Sequence, residues 1–430
     1  MKRGKISNHK KCLTALLLIL ALAGAGCGNE GLQTEETAHS PQTEAGSKVG
    51  TMSYGYFYGE EGIVASSSER FLYSDWEPVD FDYICMDPTC SHQIESCSAR
   101  AIQDEASYLR DFCLVYGERL IILHSFFQLT VDEVSEMTQD WIIAYQTDVY
   151  EADLDGSNRR KMTAFPGSIA YPDDTHAGIL VDGKFYFGGP TEERERIELD
   201  ARGEWQTFEP WTTDAIYCLD LNDYTTETFA ATEDQAGDAS AYQYKLYEYD
   251  GRIYAIISNY QGDSAVWYRI EPETGVCEEI LRFDSNAARF QGAIGDTVYY
   301  TYDNSWDTLY ARDILTEAEE REIMTITDEV VIAIPFVIDG QILFMTNYCL
   351  EGDDFMAEYA VLDRDGNVLD RIRYDDYITF LDVIGDKLLY FKNYPDYEVW
   401  WVDKDEIINL LEKGVRIGPL SGAKLDTLKD

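Results

Sequence analysis

The sequence predicts an all-β fold, a β-propeller of seven four-stranded blades. Three observations carry that prediction. Short alternating strands are broken throughout by Gly-Asp or Asp-Gly turns, the mark of antiparallel hairpins. The turn glycines keep a period, with Gly251, Gly295, Gly340 and Gly385 standing 44, 45 and 45 residues apart. Around each turn the same frame recurs: apolar strand, turn, aromatic strand, polar loop, a strand ending near Asp, a second turn, a charged strand. A period of about 45 residues holding four antiparallel strands is the arithmetic of a propeller blade. One blade alone leaves both faces of its sheet wet, whereas a ring of blades buries the faces and protects the edges.

The units follow in order. "SYGYFYGEEGIVASSSERFLYSDWEPVDFDYICM" from Ser53 fits the frame loosely. "CLVYGERLIILHS" from Cys113 with "DVYEADLDGSNRRKMTAF" from Asp148 makes a second unit, and "ILVDGKFYFGGP" from Ile179 with "AIYCLDLNDYTTETFAA" from Ala215 a third. The last four begin near Leu246, Gly292, Phe336 and Asp382. Gly117, Gly183 and Gly251 are 66 and 68 residues apart, which implies insertions, at about 125–147 and 188–214. "DKDEIINLLEKG" from Asp403 to Gly414 is the one convincing helical stretch, and "DEVSEMTQDWIIAY" after Asp132 could add a short helix inside the first insertion. A transporter's solute-binding protein would instead need βαβ alternation with long amphipathic helices.

The N-terminus carries Lys2, Arg3, Lys5, Lys10 and Lys11, then the apolar run "LTALLLILALAGAG" ending at Cys27. A basic region, a short apolar run and small residues make a secretory signal peptide, here residues 1–26. "ALAGAGCGNE" resembles a bacterial lipobox, although Gly24 stands where lipoboxes usually have Leu. That resemblance implies a diacylglyceryl thioether on Cys27 and a protein anchored on the outer, extracytoplasmic face of the cell membrane. Residues 27–49 hold almost no large apolar side chain and read as a disordered acidic tether, with the propeller at 50–430.

The formal net charge is −46, and losing the five signal-peptide cations would take it near −51. Such a surface excludes nucleic acid as a partner.

"EADLDGSNRRKMTAF" resembles the Asp-Gly-Ser-Asn hairpin of TolB-type propeller repeats, and the Gly-His and Trp-Asp marks of WD40 repeats are absent. Signal, lipobox, acidic tether, Tyr-rich blades and a Cys/His cluster together resemble the propeller lipoproteins of Clostridia-like gut bacteria described as TolB-like or DUF5050-like. The resemblance covers nearly the whole chain. It implies a fold and a location, and no settled activity.

Chemistry concentrates in "YICMDPTCSHQIESCSAR", where Cys85, Cys90, His92 and Cys97 are spaced C-x4-C-x-H-x4-C. Thiolate and imidazole suit zinc, and four ligands close a structural site. Pro88 would tighten the first turn. A disulfide among these cysteines, or with Cys113, and unliganded thiols are the competing readings. Cys90 and His92 lie too far apart on an extended strand to form a catalytic pair without a turn. Cys113, Cys218, Cys277 and Cys349 read as buried inert thiols, His124 as a half-buried strand histidine, and His176 as a loop residue near Asp173 and Asp174. "DLDGSN" and "DRDGN" lack the distal Glu of a calcium loop and read as hairpin turns.

No catalytic residues are assigned. Strand parity places the Cys/His loop and both insertions on one face, where Trp141, Trp205, Trp211, Phe126 and Phe127 would form a binding face for a protein or glycan. The chain therefore reads as a binding or scaffold module. The alternatives are a hydrolase or lyase acting on polysaccharide or peptidoglycan, and a metal-binding surface protein.

Overall fold

Alternating apolar and polar residues between Asp-Gly turns build twenty-nine strands among the described residues of the computed structural model. It describes residues 48–419, apart from 54–55, 67–69, 78, 93–95, 103–107, 136–137, 170–175, 200–201, 203–204, 235–241, 260–263, 284–287, 303–304, 317–318, 327–334, 352–353 and 393–397. The signal peptide, Cys27, nearly all of the tether, Asp173 and Asp174 lie outside the described residues.

Four separate antiparallel sheets have the expected blade order. They are β14 (Tyr242–Tyr249), β15 (Arg252–Asn259), β16 (Ala265–Glu271) and β17 (Val276–Phe283); β18 (Ala288–Ile294), β19 (Thr297–Tyr302), β20 (Ser305–Asp313) and β21 (Arg321–Thr325); β22 (Phe336–Ile338), β23 (Gln341–Glu351), β24 (Asp354–Leu362) and β25 (Val368–Tyr374); and β26 (Ile378–Ile384), β27 (Lys387–Lys392), β28 (Glu398–Asp403) and β29 (Val415–Pro419). The turn between β14 and β15 shows why the period was visible: Asp250 and Gly251 sit at φ 52° and 75°. Two successive left-handed residues make the type I′ turn that matches strand twist, and Asp-Gly is among its preferred pairs.

The first half departs from expectation. Its strands are β1 (Lys48–Ser53), β2 (Tyr56–Gly59), β3 (Gly62–Ser66), β4 (Phe71–Ser74) and β5 (Asp82–Tyr83); β6 (Tyr108–Tyr116), β7 (Arg119–Ser135), β8 (Thr138–Asp153) and β9 (Arg160–Pro166); and β10 (Gly178–Val181), β11 (Lys184–Leu199), β12 (Trp205–Asp220) and β13 (Thr226–Asp234). All thirteen belong to one sheet. The fold is thus all-β and propeller-like with four separate blades, in place of the seven expected. Two pairings cause the merger. β1 pairs with both β2 and β10, and β8 pairs with β11 beyond the units they start from.

The second correction concerns the insertions. Residues after Asp132 form strand rather than helix, because both insertions simply lengthen the hairpins β7–β8 and β11–β12. The helical expectation near the C-terminus holds as a 3-10 stretch, Lys404–Asn409, leading into an α turn, Leu410–Lys413. Among the described residues no helix is long and apolar enough to cross a membrane.

The apolar cores connect the units in a cycle. One cluster spans the thirteen-stranded sheet through Phe57, Leu123 and Phe185. A second joins Tyr186 of β11 to Ile253 of β15, and a third joins Trp267 of β16 to Tyr300 of β19. A fourth runs from Tyr299 through Phe344 to Tyr390, and a fifth brings Trp401 of β28 back onto Tyr58 of β2. Full burial of such side chains supplies about 1.5–3 kcal/mol each and leaves neither face of a blade wet.

Candidate metal centre and binding arm

The Cys/His loop leaves β5 and is folded by its own short polar residues. The Asp87 carboxylate accepts the Thr89 N–H at 2.8 Å and the Thr89 hydroxyl at 2.7 Å. Cys90 N–H then donates to Asp87 O at 3.1 Å, closing the turn around Pro88. This Asx-type turn brings Cys90 back toward Cys85. His92 follows with φ 57°, its carbonyl accepting Arg70 Nε–H at 2.6 Å and its ring lying 4.6 Å from that of Tyr83. A further turn, Arg100 N–H to Cys97 O, directs Cys97 inward.

As a result one ligand atom from each of Cys85, Cys90, His92 and Cys97 lies within 4.8 Å of all the others. Cys97 Sγ and His92 Nδ1 are 3.7 Å apart. Ligands about 2.0–2.3 Å from a tetrahedral zinc stand roughly 3.5–3.8 Å from one another, so closing the site asks for movements of about 1 Å or less. The cluster can therefore bind a metal. The sulfurs are free thiols rather than paired, and so is Cys113. His92 Nδ1 faces Cys97, while the contact to Cys90 Sγ comes from the His92 backbone N–H at 3.3 Å. No Cys90–imidazole catalytic contact is made.

The thiols are not equivalent. Burial opposes ionisation of Cys85, but hydrogen bonds from Ser98, the Asp87 backbone and the other two thiols outweigh it and hold Cys85 below the ordinary thiol range. Desolvation, reinforced by Cys90 and Cys85, pushes Cys97 up to about 11. A metal would have to displace the protons these thiols hold, so its affinity for the set would rise with pH.

The loop's last turn is held by the β8–β9 turn. Ser98 Oγ–H donates to Asp155 O at 2.6 Å, Arg159 donates to Ser98 O, and the Arg159 guanidinium lies 5.5 Å from the Phe71 ring centre. A Cβ on Gly156 would come within 2.2 Å of Ser98 O, so the contact needs glycine there. That anchor lies at the end of β8 remote from the insertions. The expected crowding of all three features on one face thus holds for the two insertions only.

The insertions pair with each other. β8 and β11 run antiparallel from Thr138↔Glu198 to Ala144↔Glu192 and join the two hairpins into a four-stranded arm, β7-β8-β11-β12. Register assigns its faces. Val131↔Trp141 and Leu129↔Ile143 are opposed pairs, as is Phe127↔Tyr145, so these six share one face. Leu129 and Val131 are 47% and 42% exposed. Phe126 lies on the other face, its ring 5.6 Å from that of His124, so the expected aromatic set is divided. Trp205 and Trp211 belong to β12, and their side chains are outside the described set, as is that of Cys349.

Other single residues settle simply. Cys113 and Cys218 are buried and their thiols pushed up to about 12 by desolvation; half-buried Cys277 is pushed up to about 11. "DLDGSN" and "DRDGN" are hairpin turns, with Asn158 and Asn367 donating to Asp153 and Asp363. His124 is fully rather than half buried, and its Nδ1 meets Asp111 Oδ1 at 2.6 Å. That pair was missed, although counting back from the turn at Gly117 puts Asp111 opposite His124. His176 is buried among inner strands, its ring 4.4 Å from that of Tyr247 and its Nε2 3.5 Å from Asp382 Oδ2.

No protein-family model matches the chain, and a search of curated proteins finds no relative. Solved structures similar to it include peptidases, a lyase and a β-propeller domain. It resembles dipeptidyl peptidase 4 of Porphyromonas gingivalis at 11% identity with a TM-score of 0.39, over 94% of this chain and 64% of that one. It resembles oligogalacturonate lyase from Vibrio parahaemolyticus at 10% identity and a TM-score of 0.37, over 69% and 85%. It also resembles the β-propeller domain of the Trilobed protease from Pyrococcus furiosus at 10% identity and a TM-score of 0.31, over 64% and 81%. The chain spans less than two thirds of the peptidase, and these likenesses concern the fold alone.

Proposed function

We propose that this chain is a lipid-anchored, extracytoplasmic binding module of propeller-like fold that presents its paired arm to a protein or glycan. The observation that carries the proposal is the β8–β11 pairing. It spends two insertions on a sheet that extends beyond the units and keeps Leu129 and Val131 exposed on an aromatic face. Contiguous exposed apolar surface of this kind marks interaction sites. The Cys/His loop serves as a structural zinc clip between the first unit and the next, and anchoring through Cys27 holds the module at the cell surface.

Cosedimentation of the full-length chain with purified cell-wall glycan, and in parallel with extracted surface protein, tests the reading. Val131→Asp with Leu129→Asp should abolish binding and leave the melting temperature within about 1 °C, since both side chains are already exposed. Undiminished binding by that variant, or none to either material, would remove the arm from the proposal.

A further inference from the structure

We infer that the cleft between the first strands of the four separate sheets binds an organic cation, a protonated amine or guanidinium on an apolar stem. The cleft holds about 290 Å³, near the lower limit for small-molecule sites and enough for one such group with its stem. It opens at the turn end of the sheets, beside Asp250, Asp339 and Gly385, whereas the arm extends from the other end of its strands. It is therefore a second site, independent of the arm.

Its lining combines aromatic walls with excess negative charge. Tyr247 and Tyr249 of β14 and Phe336 of β22 supply ring surface, and ring faces attract cations. Asp382 of β26 reaches the cleft from a position only 8% exposed. One of its oxygens accepts the Val383 N–H at 2.8 Å and the other stands 3.5 Å from His176 Nε2. A carboxylate held in so little water interacts strongly with any cation brought beside it. Glu248, Asp250 and Asp339 add three more carboxylates, against a single lining ammonium, Lys404, which is already paired to Asp339 at 3.1 Å. Burial, and then the charge of Asp382, push the Tyr249 phenol well above its usual range, so it stays neutral. A cationic guest would offset this excess of negative charge, and an anionic guest would be repelled.

The test is calorimetric titration of the full-length chain with agmatine, with a Gly-Arg-Gly peptide, and with pentanol as the neutral counterpart. The expected result is saturable binding of the cations and none of pentanol. Asp382→Asn should weaken cation binding by about tenfold or more, and Tyr247→Leu by roughly threefold or more. Because the Asp382 variant could lose its fold, Glu248→Gln on the half-exposed rim provides a second charge change, with a roughly threefold loss expected. Tighter binding of the peptide assigns the guest to a basic side chain of a protein, and tighter binding of agmatine assigns a free small cation. No binding of either cation up to about 10 mM, or affinities unchanged in all three variants, overturns the inference.

Discussion

Replacing Trp401 by alanine should open the seam where the last sheet meets the first. Trp401 is 8% exposed, and its indole N–H donates to Trp76 O at 2.9 Å. The two indole rings meet edge to face at 5.6 Å, with Lys387 Nζ 5.5 Å and 5.8 Å from their centres. Trp76 is in turn tied by its own N–H to Gly59 O at 2.8 Å. Removing a buried Trp costs about 3–5 kcal/mol, with the freed Trp76 carbonyl part of that loss. Roughly 370 residues at about 2.1 cal/mol/K each give an unfolding entropy near 0.8 kcal/mol/K. The expected fall in melting temperature is then about 4–6 °C, read by circular dichroism so that losing a fluorophore does not confuse the signal. Trp401→Phe keeps the apolar bulk, loses the hydrogen bond, and should cost about 1–3 kcal/mol. A double-mutant cycle with Trp76→Ala should show coupling of about 0.5–1.5 kcal/mol. An unchanged melting temperature in Trp401→Ala, with strictly additive effects in the cycle, would refute closure through this pair.

Two further outcomes are expected. Hydrogen bonding from Tyr224, opposed by burial and helped by Arg160 and Arg119, holds the Glu151 carboxyl below its usual range. A depressed acid stabilises fully above its unfolded value of about 4.3 and loses that contribution as pH falls through the folded value, so Glu151→Gln should flatten the fall of the urea midpoint on the acid side. An identical pH profile in the variant would count against that carboxylate cluster. Elemental analysis should find about one zinc per chain, lost in Cys90→Ser and stripped by chelator with a drop in melting temperature; a metal-free protein lighter by two protons would show a disulfide instead.

What the sequence made legible was local. Turn glycines keep their period because left-handed turn residues are demanded one by one, as at Asp250 and Gly251. A Cys/His cluster able to hold a metal was readable from residue type alone. Its geometry was not, since it depends on Arg70 holding the His92 carbonyl and on the β8–β9 turn gripping Ser98. The aromatic content of the two insertions suggested a loop-built face, whereas their described residues extend two hairpins. Strand register, which separates Phe126 from Phe127, follows only once β7 is seen to continue past Ser125. The pairing of β8 with β11 joins segments some fifty residues apart, and no local pattern encodes a partner at that distance.

The least legible element is also one of the two that merge the large sheet. β1 reads as a short polar lead-in, "KVGTMS", yet Thr51, Met52 and Ser53 are all essentially buried. It lies between β2 and β10, with Ala177 N–H donating to Met52 O and His176 N–H to Ser53 Oγ, both at 2.8 Å. Lys48 pairs with Val181, the residue just before the turn at Asp182 and Gly183. The chain therefore enters the folded body at the turn end of its strands, the end where the cleft opens, and the arm extends from the other.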